Sequence, residues 1–96
     1  MESADVVVIG GGVIGASIAW HLARRGCTNV RVLERGARPG EGSTGRASGG
    51  FRAQFASEVN VRLSLLAREK LHRSPDEVGV DCGYDPCGYL FLASDA

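Results

Sequence analysis

Three glycines, Gly10, Gly12 and Gly15, stand in the spacing G-x-G-x-x-G, and a carboxylate, Glu34, follows about twenty residues further on. Each glycine omits a Cβ at a different contact. Gly10 permits a tight strand-to-helix turn, Gly12 lets the backbone approach a pyrophosphate, and Gly15 lets a helix pack closely on a strand. The amides of Val13 and Ile14 then fall at a helix start, where unpaired N–H groups and the helix dipole, roughly half a unit of positive charge, favour an anion. Glu34 is placed to accept hydrogen bonds from both ribose hydroxyls and would repel a 2′-phosphate. This set binds a dinucleotide with an unphosphorylated ribose. It leaves open which one, because FAD and NAD share the same adenosine end.

The residues after Glu34 bear on that choice. Arg35 to Gly50 is rich in Gly, Ser, Arg and Pro and has no apolar period, so it reads as loop and tight turns. Within it, Ser43 and Thr44 offer hydroxyls, Arg35 and Arg46 offer cations, and Gly49 and Gly50 leave backbone exposed. Such a set suits the second half of an extended dinucleotide. From composition alone it reads equally as a flexible surface loop.

The elements that must position these groups are legible locally. Asp5 to Ile9 is a continuous, mostly β-branched run closed by glycines, the pattern of a central parallel strand buried on both faces. From Val13 to Arg25, Ile14, Ile18, Ala19 and Leu22 recur at helical spacing, with Arg24 and Arg25 in the last turn and Gly26 as the stop. Asn29 to Glu34 restores a strand. Strand, helix and strand make a right-handed parallel unit, the start of a Rossmann-like α/β fold. A second helix is expected from Glu58 to His72, capped by Ser57 and ended by Ser74-Pro75-Asp76. Gly88 to Ala93 reads as a further strand.

The 96 residues suffice for one small core, whereas an enzyme holding a dinucleotide and a substrate needs more chain, so a piece of a longer protein is expected. Isolated, its parallel strands would have open edges that favour aggregation, and these residues alone are expected to be inactive. Hydrophobic content of 44% with 23% charged residues describes an ordinary globular chain. The formal net charge is zero, but residues 31–73 carry nine basic and four acidic side chains, and 74–96 carry five acidic and none basic. The basic excess suits an anionic ligand or a solvated helix face. The positive charges are not regularly interleaved with aromatics, Phe51 and Phe55 beside Arg52 being the two that fall among them, and the total is neutral, so nucleic acid is not expected as a partner.

No apolar run reaches the length of a membrane span, and Glu2 and Asp5 stand where a secretory signal would be basic. Cys27, Cys82 and Cys87 lack CxxC spacing and lie away from His21 and His72, so no metal site is expected. This usage fits a reducing compartment. The chain therefore reads as starting at the natural beginning of an intracellular protein, cytoplasmic rather than organellar.

With these residues assembled, the chain resembles the D-amino-acid-oxidase-like superfamily of FAD-dependent oxidoreductases, especially its sarcosine oxidase beta-subunit, dimethylglycine dehydrogenase and glycine oxidase branches. The resemblance rests on Asp5 to Gly15, on Val32-Leu33-Glu34-Arg35, on Gly42-Ser43-Thr44-Gly45-Arg46-x-x-Gly49-Gly50-x-Arg52-x-Gln54-Phe55, and on Gly88 to Leu92. It implies residues 1–75 as the N-terminal part of an FAD-binding domain and 76–96 as the start of a substrate domain. It also implies that Ser43, Thr44 and Arg46 contact the flavin cofactor, that Gly49 and Gly50 admit the ring, and that Arg52 holds a substrate carboxylate. Relatives that attach flavin covalently through this loop carry a histidine where this chain has Arg46, so non-covalent FAD is implied.

The function so implied is oxidation of the C–N bond of a small amine or amino acid by hydride transfer to flavin, with an unspecified electron acceptor and a possible place in a hetero-oligomer. Catalytic residues are not assignable, because the family builds its substrate pocket from later segments. The rival readings are an NAD-dependent dehydrogenase and a non-catalytic dinucleotide-binding module.

Overall fold

A computed structural model describes residues 2–95. The elements are β1 (Val6–Ile9), α1 (Val13–Arg24), β2 (Val30–Leu33), α2 (Ser43–Arg46) and α3 (Glu58–Val78). The chain divides into two compact units, at Gly50 and Phe51.

In the first unit, β1 and β2 pair in parallel, with Val6 opposite Val30 and Ile9 opposite Leu33. The pairing is extended at both ends by backbone bonds, Asp5 N–H to the Asn29 carbonyl at 3.0 Å and Gly10 N–H to the Leu33 carbonyl at 2.7 Å. An ion pair between Arg31 and Glu2 spans the same edge. The α/β strand-helix-strand unit expected of a Rossmann-like start is therefore present. α1 ends as its sequence requires: Gly26 takes φ 90°, and the Cys27 amide returns to the Leu22 carbonyl at 3.0 Å. Only glycine adopts that left-handed position without strain.

The expectation that β1 is buried on both faces is corrected. Its burial alternates, and Val7 and Ile9 are 51% and 88% exposed. Parallel sheets become buried when helices cover both faces; here α1 lies on one, with the Val8 side chain turned toward Gly15. Among the described residues no hydrophobic side chain is fully buried, while Gly15 is.

The second unit is built on α3. Ser57 caps it as expected, its hydroxyl accepting from the Asn60 amide at 3.5 Å, and Glu58 pairs with Arg62 at 2.7 Å one turn later. The expected stop at Pro75 is corrected, because the helix passes through Pro75 to Val78 and ends on Gly79 at φ 78°. A proline inside a helix removes the bond that the carbonyl four residues earlier would accept. That carbonyl belongs to Leu71, and the Cys82 thiol approaches it at 3.9 Å while accepting from the Ser74 hydroxyl at 3.1 Å. Tyr84 stacks edge-on against both His72 and Phe51.

The strand expected at Gly88 to Ala93 does not form. Leu90 and Leu92 stand 86% and 90% exposed. A strand exists only with a neighbour to take its alternate amides and carbonyls, and none of the described residues provides one. Among the described residues no helix is long and apolar enough to cross a membrane. Among the described residues no group of three or more His, Cys, Asp or Glu side chains gathers to hold a metal ion, and Cys27, Cys82 and Cys87 are free.

Candidate cofactor site

The end of β1, the start of α1 and the end of β2 converge because the parallel pairing brings Ile9 and Leu33 level. The chain leaves β1 through Gly10, whose φ of 113° no L side chain adopts comfortably. It enters α1 at Gly12, and the first intrahelical bond runs from the Ala16 amide to the Gly12 carbonyl at 3.0 Å. The amides of Val13, Ile14 and Gly15 precede that bond and need other partners. Gly15 is required by a contact closer than helix packing: a Cβ there would strike the Gly10 carbonyl oxygen and press on the Val8 side chain.

Glu34 spans two turns. One carboxylate oxygen accepts the Gly11 amide at 2.7 Å and the other accepts the Gly36 amide at 2.7 Å. These backbone bonds, Gly36 first and Gly11 second, hold the carboxyl below its ordinary range, with a further contribution from Arg35. The carboxylate thus ties the glycine turn to the end of β2 and stays ionised at neutral pH.

The stretch read as loop contains a helical turn, α2, which corrects that expectation in part. Gly40 takes φ 81°, Gly42 precedes the turn, and a Cβ on Gly45 would strike the Gly40 carbonyl. Gly40, Gly42 and Gly45 repeat the spacing and the contact of Gly10, Gly12 and Gly15. The first motif was read from the sequence; the second was missed, although the same G-x-G-x-x-G signal is written there. The two turns are joined directly. The Gly40 amide donates to the Gly11 carbonyl at 3.1 Å, and the Thr44 hydroxyl accepts the Val13 amide at 2.9 Å.

A cleft of about 490 Å³ opens over this junction. Of the residues singled out in the sequence, Gly10, Gly12, Ile14, Gly15, Glu34, Arg35, Ser43 and Thr44 line it. Val13 does not, and its amide is turned to Thr44. Arg46 closes α2, and Gly49, at φ 77°, and Gly50 end the first unit, all three away from the cleft lining. Arg52 lies in the second unit with its guanidinium 5.2 Å from the Phe55 ring centre. Ile9, Ile18 and Leu33 add an apolar wall that sequence reasoning did not assign to the site. The donor set fits the adenosine side of a dinucleotide: first-turn amides for phosphate, a carboxylate for ribose hydroxyls, and apolar wall for a base.

Residues 5–96 match the family model described as FAD dependent oxidoreductase, and the chain belongs to that FAD-dependent family. It is 41% identical over 104 residues to FAD-dependent oxidoreductase domain-containing protein 1 of Xenopus laevis, covering 98% of this chain and 21% of that protein. It is 36% identical to the mitochondrial sarcosine dehydrogenase of Homo sapiens, covering 98% of this chain and 10% of the relative. It is 33% identical to the mitochondrial pyruvate dehydrogenase phosphatase regulatory subunit of Mus musculus, over 94% of this chain and 10% of the relative. The chain therefore spans about a fifth or less of these proteins' length. No solved structure matches it.

The relatives overturn the expectation of a cytoplasmic protein, since two of them are named as mitochondrial and point to an organelle. The residues that line the cleft hold no record of compartment, which is written in addressing segments separate from the fold.

Proposed function

We propose that this chain supplies the adenosine and pyrophosphate side of a non-covalent FAD site in an enzyme that oxidises the C–N bond of a small amine or amino acid. The observation that carries the reading is the convergence of the α1 first turn and the Glu34 carboxylate on one cleft. Ile14 and Gly15 would present amides to phosphate, Glu34 would accept the ribose hydroxyls, and Ser43 and Arg35 would border the path of the chain beyond the pyrophosphate. Arg46, in place of an attaching histidine, supports non-covalent binding. When bound, flavin accepts a hydride at N5, and the protein's part is to bind, orient and shield.

The amine substrate class draws support from the relationship to a protein named sarcosine dehydrogenase. Arg52 is the candidate anchor for a substrate carboxylate; its guanidinium makes no ion pair among the described residues and rests on Phe55. The test is anaerobic mixing of the full-length, FAD-loaded protein, including the segments that follow residue 96, with a panel of N-methyl and primary amino acids. Bleaching of the flavin's visible absorption by at least one of them is expected, and no reduction across the panel would refute the activity.

A second reading is favoured by the relative named as a regulatory subunit. In it the chain belongs to a flavin-binding subunit of a hetero-oligomer that oxidises no substrate. FAD binding without reduction by any amine, together with co-purification of a second chain, distinguishes it.

A further inference from the structure

We propose that Thr44 is a positioning residue of the flavin site, which caps α1 from 31 residues away and sets the fingerprint turn before cofactor arrives. This deepens, and rests on, the reading of the cleft as an FAD site.

A helix N-terminus is normally closed by a Ser, Thr, Asp or Asn at the capping position, whose side-chain oxygen takes one of the unpaired amides. At α1 that position is Gly12, which has no side chain and makes no capping bond. The Thr44 hydroxyl takes over the task by accepting the Val13 amide at 2.9 Å. The space it occupies is the space left by Gly12: a Cβ there would lie 2.7 Å from the Thr44 oxygen. Gly12 is thus needed to admit Thr44 as well as to bare the backbone. The Gly40 amide, bonded to the Gly11 carbonyl at 3.1 Å, fixes the approach of the second glycine turn. The absent Cβ of Gly45 lets that turn close on the Gly40 carbonyl and so present Thr44. With Val13 satisfied by protein, the amides of Ile14 and Gly15 are the ones left to an anion.

The decisive measurement is amide hydrogen exchange at Val13 in the protein without FAD, with the interior amides of α3 as internal control. Thr44→Val keeps the shape and removes the acceptor, and it should speed Val13 exchange by roughly three- to tenfold, the factor of one neutral hydrogen bond. Thr44→Ser should restore the wild-type rate. The FAD dissociation constant should rise by a similar factor in Thr44→Val and recover in Thr44→Ser. The loss of FAD binding in Gly12→Ala should shrink when Thr44→Ala is added, because the oxygen that the new Cβ meets is gone.

Unchanged Val13 exchange in Thr44→Val would overturn the proposal, even if FAD binding weakened, since that pairing would mean a direct contact with cofactor and no capping. Equal or tighter FAD binding in Thr44→Val would overturn it as well. If the wild-type protein bound no FAD, the functional reading would fall while Val13 exchange still judged the cap.

Discussion

The Thr44 hydroxyl oxygen lies 2.9 Å from the Val13 amide, so the second glycine turn of the chain is locked onto the first by a side chain rather than by packing alone. That matters in a unit without a fully buried hydrophobic side chain among its described residues. The geometry of the cleft rests on directional bonds: Glu34 to Gly11 and Gly36, Gly40 to Gly11, and Val13 to Thr44.

Gly15→Ala should disable the site by displacing the turn. Its Cβ would strike the Gly10 carbonyl, which is backbone and cannot swing aside. A destabilisation of about 1–3 kcal/mol from overpacking is expected, together with loss of FAD binding. Thermal unfolding and fluorescence titration with FAD check both, and retained affinity would show that the turn tolerates the methyl group.

Gly10→Ala should act differently. A Cβ at this position meets nothing within 4 Å, yet the backbone sits at φ 113°. The penalty is conformational, on the order of 1–3 kcal/mol, and D-alanine introduced there by semisynthesis should relieve it. Equal stability of the L and D forms would contradict the strain argument.

Acid should loosen the glycine turn through Glu34. The folded-state carboxyl titrates below its ordinary value because it accepts the Gly36 and Gly11 amides. A depressed folded value means that its stabilisation is fully present above the unfolded carboxylate value and is lost as pH falls through the folded one. FAD affinity and Gly11 amide protection should be flat near neutrality and decline only below the usual carboxylate range. Glu34→Gln should weaken binding at neutral pH and flatten that acid decline; an unaltered acid profile in the variant would place the titrating group elsewhere.

Pro75→Ala should stabilise α3. An interior proline costs a helix about 3 kcal/mol, and part of that is offset here by the Cys82 thiol at the Leu71 carbonyl. A rise in the unfolding temperature followed by circular dichroism is expected, smaller than the full helix penalty. A fall would indicate that the proline ring or the Cys82 contact contributes more than the missing bond.

The contrast between what was legible and what was not follows the range of the signals. β1, α1, β2 and the stop at Gly26 were readable because β-branched runs, helical periodicity and a glycine past a basic last turn are written within a few residues of the element they shape. Glu34 was readable as the carboxylate closing β2. The short helix at Ser43 was hidden by glycine-rich composition, although Gly40, Gly42 and Gly45 carried its pattern. Pro75 misled because a proline usually stops a helix, and the Cys82 thiol that approaches the freed carbonyl lies beyond the local window. The strand expected from Gly88 failed for the opposite reason: its own residues favour it, but pairing belongs to a partner. The bond from Val13 to Thr44 joins two turns distant in sequence, and no local pattern announces such a bond.

The most direct test is equilibrium titration of the purified protein with FAD, followed by acid precipitation. Saturable binding of one FAD per chain is expected, weakened in Glu34→Gln and Gly15→Ala, with all of the flavin released to the supernatant on precipitation. Absence of FAD binding, or wild-type affinity in both variants, would contradict the site described at Gly10, Gly15 and Glu34.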